Sequence, residues 1–249
     1  MADPAPRTIA VVEARMGSSR LPGKVLLTAG GRPMLGHLID RLRQVTSLDG
    51  FIVATTIDPQ DDELATFCSG EGIQCFRGSE DDVLDRVIGA ARAMNAAVIV
   101  EITGDCPIID PDLIEQVIRV HQANGADYTS NCHHRSYPDG MDAQVFTRAA
   151  LETSSSLTEE PLDREHVTLH IRNNPETFRQ VHILAPPSLH WPELGLTLDE
   201  PADFTLISRI IEHFGPARPN FSCGEVLTYL RSSPELLTVN SHVSRRGAS

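Results

Sequence analysis

Positive charge is scarce in this sequence: 21 lysines and arginines stand against 34 aspartates and glutamates, a formal net charge of −13. Binding a polyanion needs a basic face, so this balance argues against nucleic acid as the main partner, and equally against an anionic membrane surface. Cysteine chemistry is thin as well. The five cysteines are odd in number and include no C-x-x-C pair, which argues against a disulfide framework and fits reduced thiols in a cytoplasmic protein. The N-terminal apolar stretch is too short for a signal peptide, and Asp3 is misplaced for one. No run approaches membrane-spanning length. Internal repeats, low-complexity linkers, a G-x-S-x-G elbow and an H-E-x-x-H motif are all missing. What remains is a chain of 249 residues, 41% hydrophobic, able to bury a full core without metals or disulfides. It is expected to form one domain over residues 1–249.

The first half alternates apolar runs with amphipathic segments. Strands are predicted at 8–14, 51–56, 73–76 and 97–102, and helices at 33–45, 61–68, behind Ser79, and from Asp110-Pro111 onward. This alternation predicts an α/β fold with a three-layer, doubly wound, mainly parallel sheet. Strands such as FIVATT are nearly continuous in hydrophobicity, as expected when both faces are covered. Ligands on such sheets sit at the carboxyl ends of the strands. The second half is less regular, with strands predicted at 127–131, 143–146 and 181–184 and helices at 164–173 and 204–214. It reads as an extension of the same sheet, and the tail after about residue 215 carries no signal.

The loop after the first strand reads ARMGSSRLPGK, from Ala14 to Lys24. Glycines let the backbone approach a ligand, consecutive N–H groups form an anion nest, and arginine adds forked hydrogen bonds to phosphate. In an acidic chain, Arg15, Arg20 and Lys24 form a local positive island. The P-loop of ATPases does not fit: five residues separate Gly17 from Gly23, and Val25 follows Lys24 where a hydroxyl is required. A solvated surface turn is the plain alternative.

ARMGSSRLPGK resembles the signature loop of cytidylyltransferases that activate sugar acids, above all the spore-coat polysaccharide type, which is related to the acylneuraminate and Kdo cytidylyltransferases. RGSEDDVLDR, ITGDCP, DYTSN, PDGMD, REHVT and TLDEPADF follow in the expected order, so the resemblance runs from about residue 8 to residue 214. It implies a Rossmann-type fold of the nucleotide-diphospho-sugar transferase (GT-A-like) kind. It also implies transfer of CMP from CTP to a sugar acid, with pyrophosphate released. The triphosphate would lie in the loop, against Ala14, Arg15, Gly17, Ser18, Ser19, Arg20 and Lys24. Arg77, Gly78 and Ser79 would contact the base or ribose. Arg15, Lys24 and Asp105 would carry catalysis. Mg²⁺ would be held by Asp105 and by the distant Asp199, since Mg²⁺ uses one or two protein carboxylates plus phosphates and water.

Each of these residues also has a plainer reading. Asp105 and Asp199 suit turns or helix starts, and Ser79 a helix cap. PDGMD, with Asp139, Gly140 and Asp142, is a turn signal in any fold; by resemblance it lies near the sugar-acid pocket, as does His166 in REHVT. Cys132, His133 and His134 are adjacent, and neighbours on an extended segment point to opposite faces, so no zinc site is expected there. Three positions depart from the spore-coat pattern: Glu13 stands for Gln, Glu101 for Arg and Gln144 for Glu. A carboxylate at Glu13 would repel a triphosphate unless paired or turned away. Rival readings are a glycosyltransferase of the same architecture, which usually carries a D-x-D-like motif, and a non-catalytic nucleotide-binding protein. The resemblance also implies a homodimer, with the region 131–174 as the dimerisation or acceptor extension.

Overall fold

In the computed structural model, residues 7–215 and 218–244 are described. The strands are β1 (Arg7–Glu13), β2 (Thr28–Ala29), β3 (Arg32–Pro33), β4 (Gly50–Thr56), β5 (Gln74–Gly78), β6 (Ala96–Thr103), β7 (Tyr128–Ser130), β8 (Gln144–Thr147) and β9 (Gln180–His182). The helices are α1 (Met34–Leu42), α2 (Asp62–Gly70), α3 (Val83–Ala93), α4 (Pro111–Asn124), α5 (Arg148–Leu157), α6 (Pro161–Glu165), α7 (Leu169–Asn173), α8 (Pro201–Phe214), α9 (Cys223–Ser232) and α10 (Pro234–Leu237).

β1 shows how the sequence builds the layers. Its residues are buried on both faces because side chains alternate across the sheet. Ala10 and Val12 join Leu35, Leu38, Val53 and Ile114 on one side. Ile9 and Val11 join Leu84, Val87, Ile99 and Phe146 on the other. The main sheet runs β5-β4-β1-β6-β8-β7-β9. β5, β4, β1 and β6 are parallel; β8 is antiparallel to β6 and to β7, and β9 runs parallel to β7. The predicted doubly wound, mainly parallel sheet is therefore present, and the second half extends it. The carboxyl ends of β1, β6, β7 and β9 share one edge with the start of the reversed β8.

Three details differ from the sequence expectations. Asp82, not Ser79, caps α3: its carboxylate accepts the Asp85 N–H, while the Ser79 hydroxyl accepts the Asp82 N–H. The predicted helix over 164–173 is two short helices, α6 and α7. The turn between them buries Val167 in the core and lets the Thr168 hydroxyl reach Gln144. Within the tail, residues 218–244 include two helices, α9 and α10. α9 carries a capping box between Ser222 and Glu225, and Val226, Leu227 and Leu230 pack with Leu206, Ile207 and Ile210 of α8. The five cysteines carry free thiols, and no helix among the described residues is long and apolar enough to cross a membrane.

Candidate active site

The loop after β1 is anchored from below. Asp61 is fully buried, and its carboxylate accepts the Met16 N–H at 2.7 Å and the Thr56 N–H at 3.2 Å. The Met16 carbonyl then accepts the N–H groups of Ser18 and Gly23, both at 2.9 Å. Gly23 closes the loop in the left-handed region (φ 68°), where a Cβ is disfavoured. On the neighbouring strand exit, the Gly104 N–H donates to the Glu13 carbonyl at 2.7 Å. A Cβ at Gly104 would stand 2.8 Å from that carbonyl oxygen. The glycine therefore allows close approach of two strand exits at the turn that Thr103 and Cys106 close.

These exits border a cavity of about 700 Å³ lined by Ala14, Arg15, Gly17, Ser18, Ser19, Arg20, Lys24, Asp105 and Asp199, among others. Lys24 is the single lysine of the sequence. Its ammonium donates to Asp105 Oδ2 at 2.9 Å and to Asp199 Oδ1 at 3.0 Å. Arg20 lies 3.1 Å from the same Asp199 oxygen and also pairs with Glu200. Arg15 pairs with Glu80 at 2.7 Å. The positive island is thus matched by carboxylates in this state, and an anion entering the cavity would exchange partners with them. Burial disfavours the charged Asp105, but Lys24 and the hydrogen bonds from Thr103, Lys24 and Cys106 outweigh it and hold the carboxyl below its usual range. Burial also opposes the Lys24 charge, and the two carboxylates overcome it and raise the amine.

Asp105 and Asp199 are 94 residues apart in sequence, and the backbone joins them: the Leu198 N–H donates to the Asp105 carbonyl at 2.8 Å. Asp199 is not spent on capping α8. Asp203 accepts the backbone N–H groups of Asp199 and Glu200, leaving the Asp199 carboxylate to face the cavity. Two carboxylates that converge on one ammonium form a donor set that fits Mg²⁺.

The three departures from the spore-coat pattern are neighbours. Glu13 and Glu101 lie at the ends of β1 and β6 on the face that carries Val11 and Ile99, and Gln144 stands opposite Glu101 in β8. Gln144 Nε2 donates to Glu101 at 3.3 Å, and Gln144 Oε1 accepts the hydroxyls of Tyr128 (2.6 Å) and Thr168 (2.8 Å). Burial, then repulsion from Glu13, pushes Glu101 well above the usual carboxylate range. Burial and the neighbouring Glu13 thus both favour the neutral form of the Glu101 carboxyl. Glu13 is itself raised by burial, against the lowering influence of Glu101 and of the Arg86 guanidinium. Burial thus favours the neutral form of Glu13, which would weaken its repulsion of a triphosphate, and its Oε1 is buried without a hydrogen-bond partner. A second cavity of about 200 Å³, sharing Glu13, Thr103, Glu165 and His166 with the first, is lined by this network together with Arg172.

The other candidates are distributed as follows. His166 lines both cavities. Arg77 turns away from them, donating to the Thr56 and Asp58 carbonyls and to Asp62. Gly78 and Ser79 lie outside the lining, and the Ser79 carbonyl accepts from Arg86. Asp139 and Asp142 both pair with Arg135, at 3.1 and 2.8 Å, and sit outside the lining. Burial lifts the Asp142 carboxyl to about 7 despite Arg135. A Cβ at Gly140 would meet the Leu196 backbone at 2.7 Å, so PDGMD packs against the segment leading to Asp199. Sequence reasoning missed Arg86 and Arg172. Arg86 falls within RGSEDDVLDR and is buried on α3 beside Leu84 and Val87, so a buried arginine on an apolar helix face was the available signal.

A sequence model of the cytidylyltransferase family matches residues 9–199. The spore coat polysaccharide biosynthesis protein SpsF of Bacillus subtilis is 36% identical, over 92% of this chain and 95% of its own. A 3-deoxy-manno-octulosonate cytidylyltransferase of Anaeromyxobacter dehalogenans is 31% identical, over 64% of this chain and 71% of its own. Among solved structures, a cytidylyltransferase from Leptospira borgpetersenii superposes with a TM-score of 0.88 at 29% identity, covering 93% of this chain and 97% of its own.

Proposed function

The chain belongs to the cytidylyltransferase family, and on that premise we propose that it transfers CMP from CTP to a sugar acid for surface polysaccharide biosynthesis. The observation that carries this reading is the Lys24 ammonium held between Asp105 and Asp199 at the floor of the larger cavity. It joins the basic glycine loop to a metal-type carboxylate pair, and phosphoryl-group transfer needs mainly positioning and charge neutralisation. The names of the Bacillus subtilis and Anaeromyxobacter dehalogenans relatives support a polysaccharide precursor and a CTP donor.

In the proposed reaction the acceptor hydroxyl oxygen bonds to the α-phosphorus of CTP as the bond to the departing pyrophosphate breaks. Arg15, Arg20 and Lys24, with the backbone from Gly17 to Ser19, bind and orient the triphosphate, and Arg86 adds a buried positive charge to the same wall. Asp105 and Asp199 would hold Mg²⁺, which neutralises phosphate charge and makes an acceptor hydroxyl more acidic when bound. The smaller cavity takes the acceptor. Arg172 faces the acid there, since its Nε is buried without a hydrogen-bond partner. His166 and Thr168 flank it, and Glu101 beside Glu13, its carboxyl raised by burial, offers hydrogen bonding to sugar hydroxyls. Arg172→Leu is expected to raise the acceptor KM by about tenfold or more, as for loss of a charge-assisted hydrogen bond, with the KM for CTP unchanged.

The test is pyrophosphate release with Mg²⁺ from each of the four nucleoside triphosphates, against a panel of sugar acids. Release that requires CTP and an acid supports the reading. Turnover with another nucleotide in preference to CTP, or with neutral sugars in place of acids, contradicts it.

A further inference from the structure

Away from both cavities, three histidines converge at the carboxyl ends of β7 and β9. His133 and His134 follow β7 in its connection to β8, and His182 closes β9. β7 and β9 are parallel neighbours with Ser130 opposite His182, so residues just beyond β7 land over the end of β9. The segment bends there instead of staying extended. This overturns the expectation that His133 and His134 face opposite ways, and Cys132 takes no part. Ring centroids stand 4.7 Å apart for His133 and His134, 4.4 Å for His133 and His182, and 5.0 Å for His134 and His182. One ring nitrogen from each residue lies within 4.8 Å of the other two. His182 Nδ1 is buried with no hydrogen-bond partner.

We propose that His133, His134 and His182 form a three-imidazole site for a divalent transition ion of the Zn²⁺ class, with its fourth position open. Neutral imidazoles suit Zn²⁺, Co²⁺ and Ni²⁺, whereas Mg²⁺ prefers oxygen ligands. Tetrahedral Zn²⁺ with bonds of about 2.0–2.1 Å places its nitrogens about 3.3 Å apart. Rotation of the rings closes the gap, because His134 is exposed and His133 and His182 are only half-buried. The ion would tie the connection over 131–143, which carries Asp139 and Asp142, to the end of β9. It is separate from the Asp105 and Asp199 pair in both ligand type and place.

The experiment uses the full chain without an affinity tag, stripped with a chelator and titrated with Zn²⁺ alone, then with Co²⁺ alone. One Zn²⁺ per chain is expected, with a Tm that climbs with Zn²⁺ concentration and visible Co²⁺ bands of a tetrahedral nitrogen site. His182→Ala and the milder surface change His134→Gln should each weaken Zn²⁺ more than about 100-fold, since losing a ligand exceeds the 10–100-fold cost of losing an outer partner. Asp105→Asn should bind Zn²⁺ as the unaltered chain does. Absence of stoichiometric Zn²⁺ binding, equal affinity in His134→Gln, or loss of binding in Asp105→Asn would each overturn the site.

Discussion

At the residue scale, the site turns on one amine and two carboxyl pairs. Because Lys24 is the single lysine, ¹³C reductive methylation should give one side-chain resonance besides the N-terminus. That resonance should titrate above the ordinary lysine range, since Asp105 and Asp199 raise it, and should shift when CTP and Mg²⁺ are added. A normal or lowered titration would mean that the two carboxylates do not hold the amine. The buried Glu13 and Glu101 pair makes a different demand. Both carboxyls are raised in the fold, so as pH climbs above the ordinary carboxylate value the unfolded chain releases protons that the folded chain keeps. Stability is lost across that window and levels off above the folded values. Glu101→Gln removes one ionisation. The variant should therefore gain on the unaltered chain as pH rises from about 4 to 8, reaching a Tm advantage of about 2–4 °C, equivalent to about 1 kcal/mol in a chain of this size. A Tm difference that does not change with pH would contradict the raised carboxyls. Much of this was legible beforehand. Arg15, Arg20, Lys24, Asp105 and Asp199 were chosen from the sequence and do line one cavity. The grouping of Glu13, Glu101 and Gln144 needed the β6–β8 register, which no local pattern supplies.

At the element scale, strand ends and helix starts decide which groups face the cavity. The apolar alternation predicted β1, β4, β6, α1, α3, α4 and α8. The split of α6 from α7 was not readable, because it follows from Val167 and Thr168 finding partners on distant strands. The tail did carry a signal, the S-x-x-E capping box at Ser222 and Glu225, and its contact with the site is structural. Asn240 donates to the Gly195 carbonyl at 2.9 Å and to the buried Asp203 at 2.8 Å, and Asp203 positions the Asp199 backbone. Asn240→Ala strips a partner from a buried carboxylate and should cost about 1–3 kcal/mol, read by urea unfolding, with activity falling as Asp199 loosens. Gly104→Ala should be at least as damaging, since its methyl would meet the Glu13 carbonyl, and overpacking of this kind costs about 1–3 kcal/mol. If either variant keeps full stability, the strand-exit geometry does not constrain the site as argued.

At the scale of the whole molecule, an acidic chain proposed to bind a polyanionic nucleotide concentrates its usable cations in one loop and on two helices. The same view bears on assembly. Family resemblance implies a homodimer through the region 131–174, where Leu157 and Leu162 are exposed, as is Leu184 further along the chain. Light scattering should report twice the 27.2 kDa chain mass, and Leu184→Asp should shift it toward the single chain. A monomer at every concentration would remove that proposal and leave the catalytic reading intact. In the proposed reaction, CMP transfer centres on the Asp105 carboxylate. The most direct measurement is ³¹P NMR of the products formed from CTP, Mg²⁺ and a sugar-acid panel, with Asp105→Ala alongside. The expected result is pyrophosphate together with a CMP–sugar acid phosphodiester, at a rate lowered by about 100-fold or more in the variant. CTP left intact with every acid, or a phosphodiester formed equally fast without the Asp105 carboxylate, would contradict it.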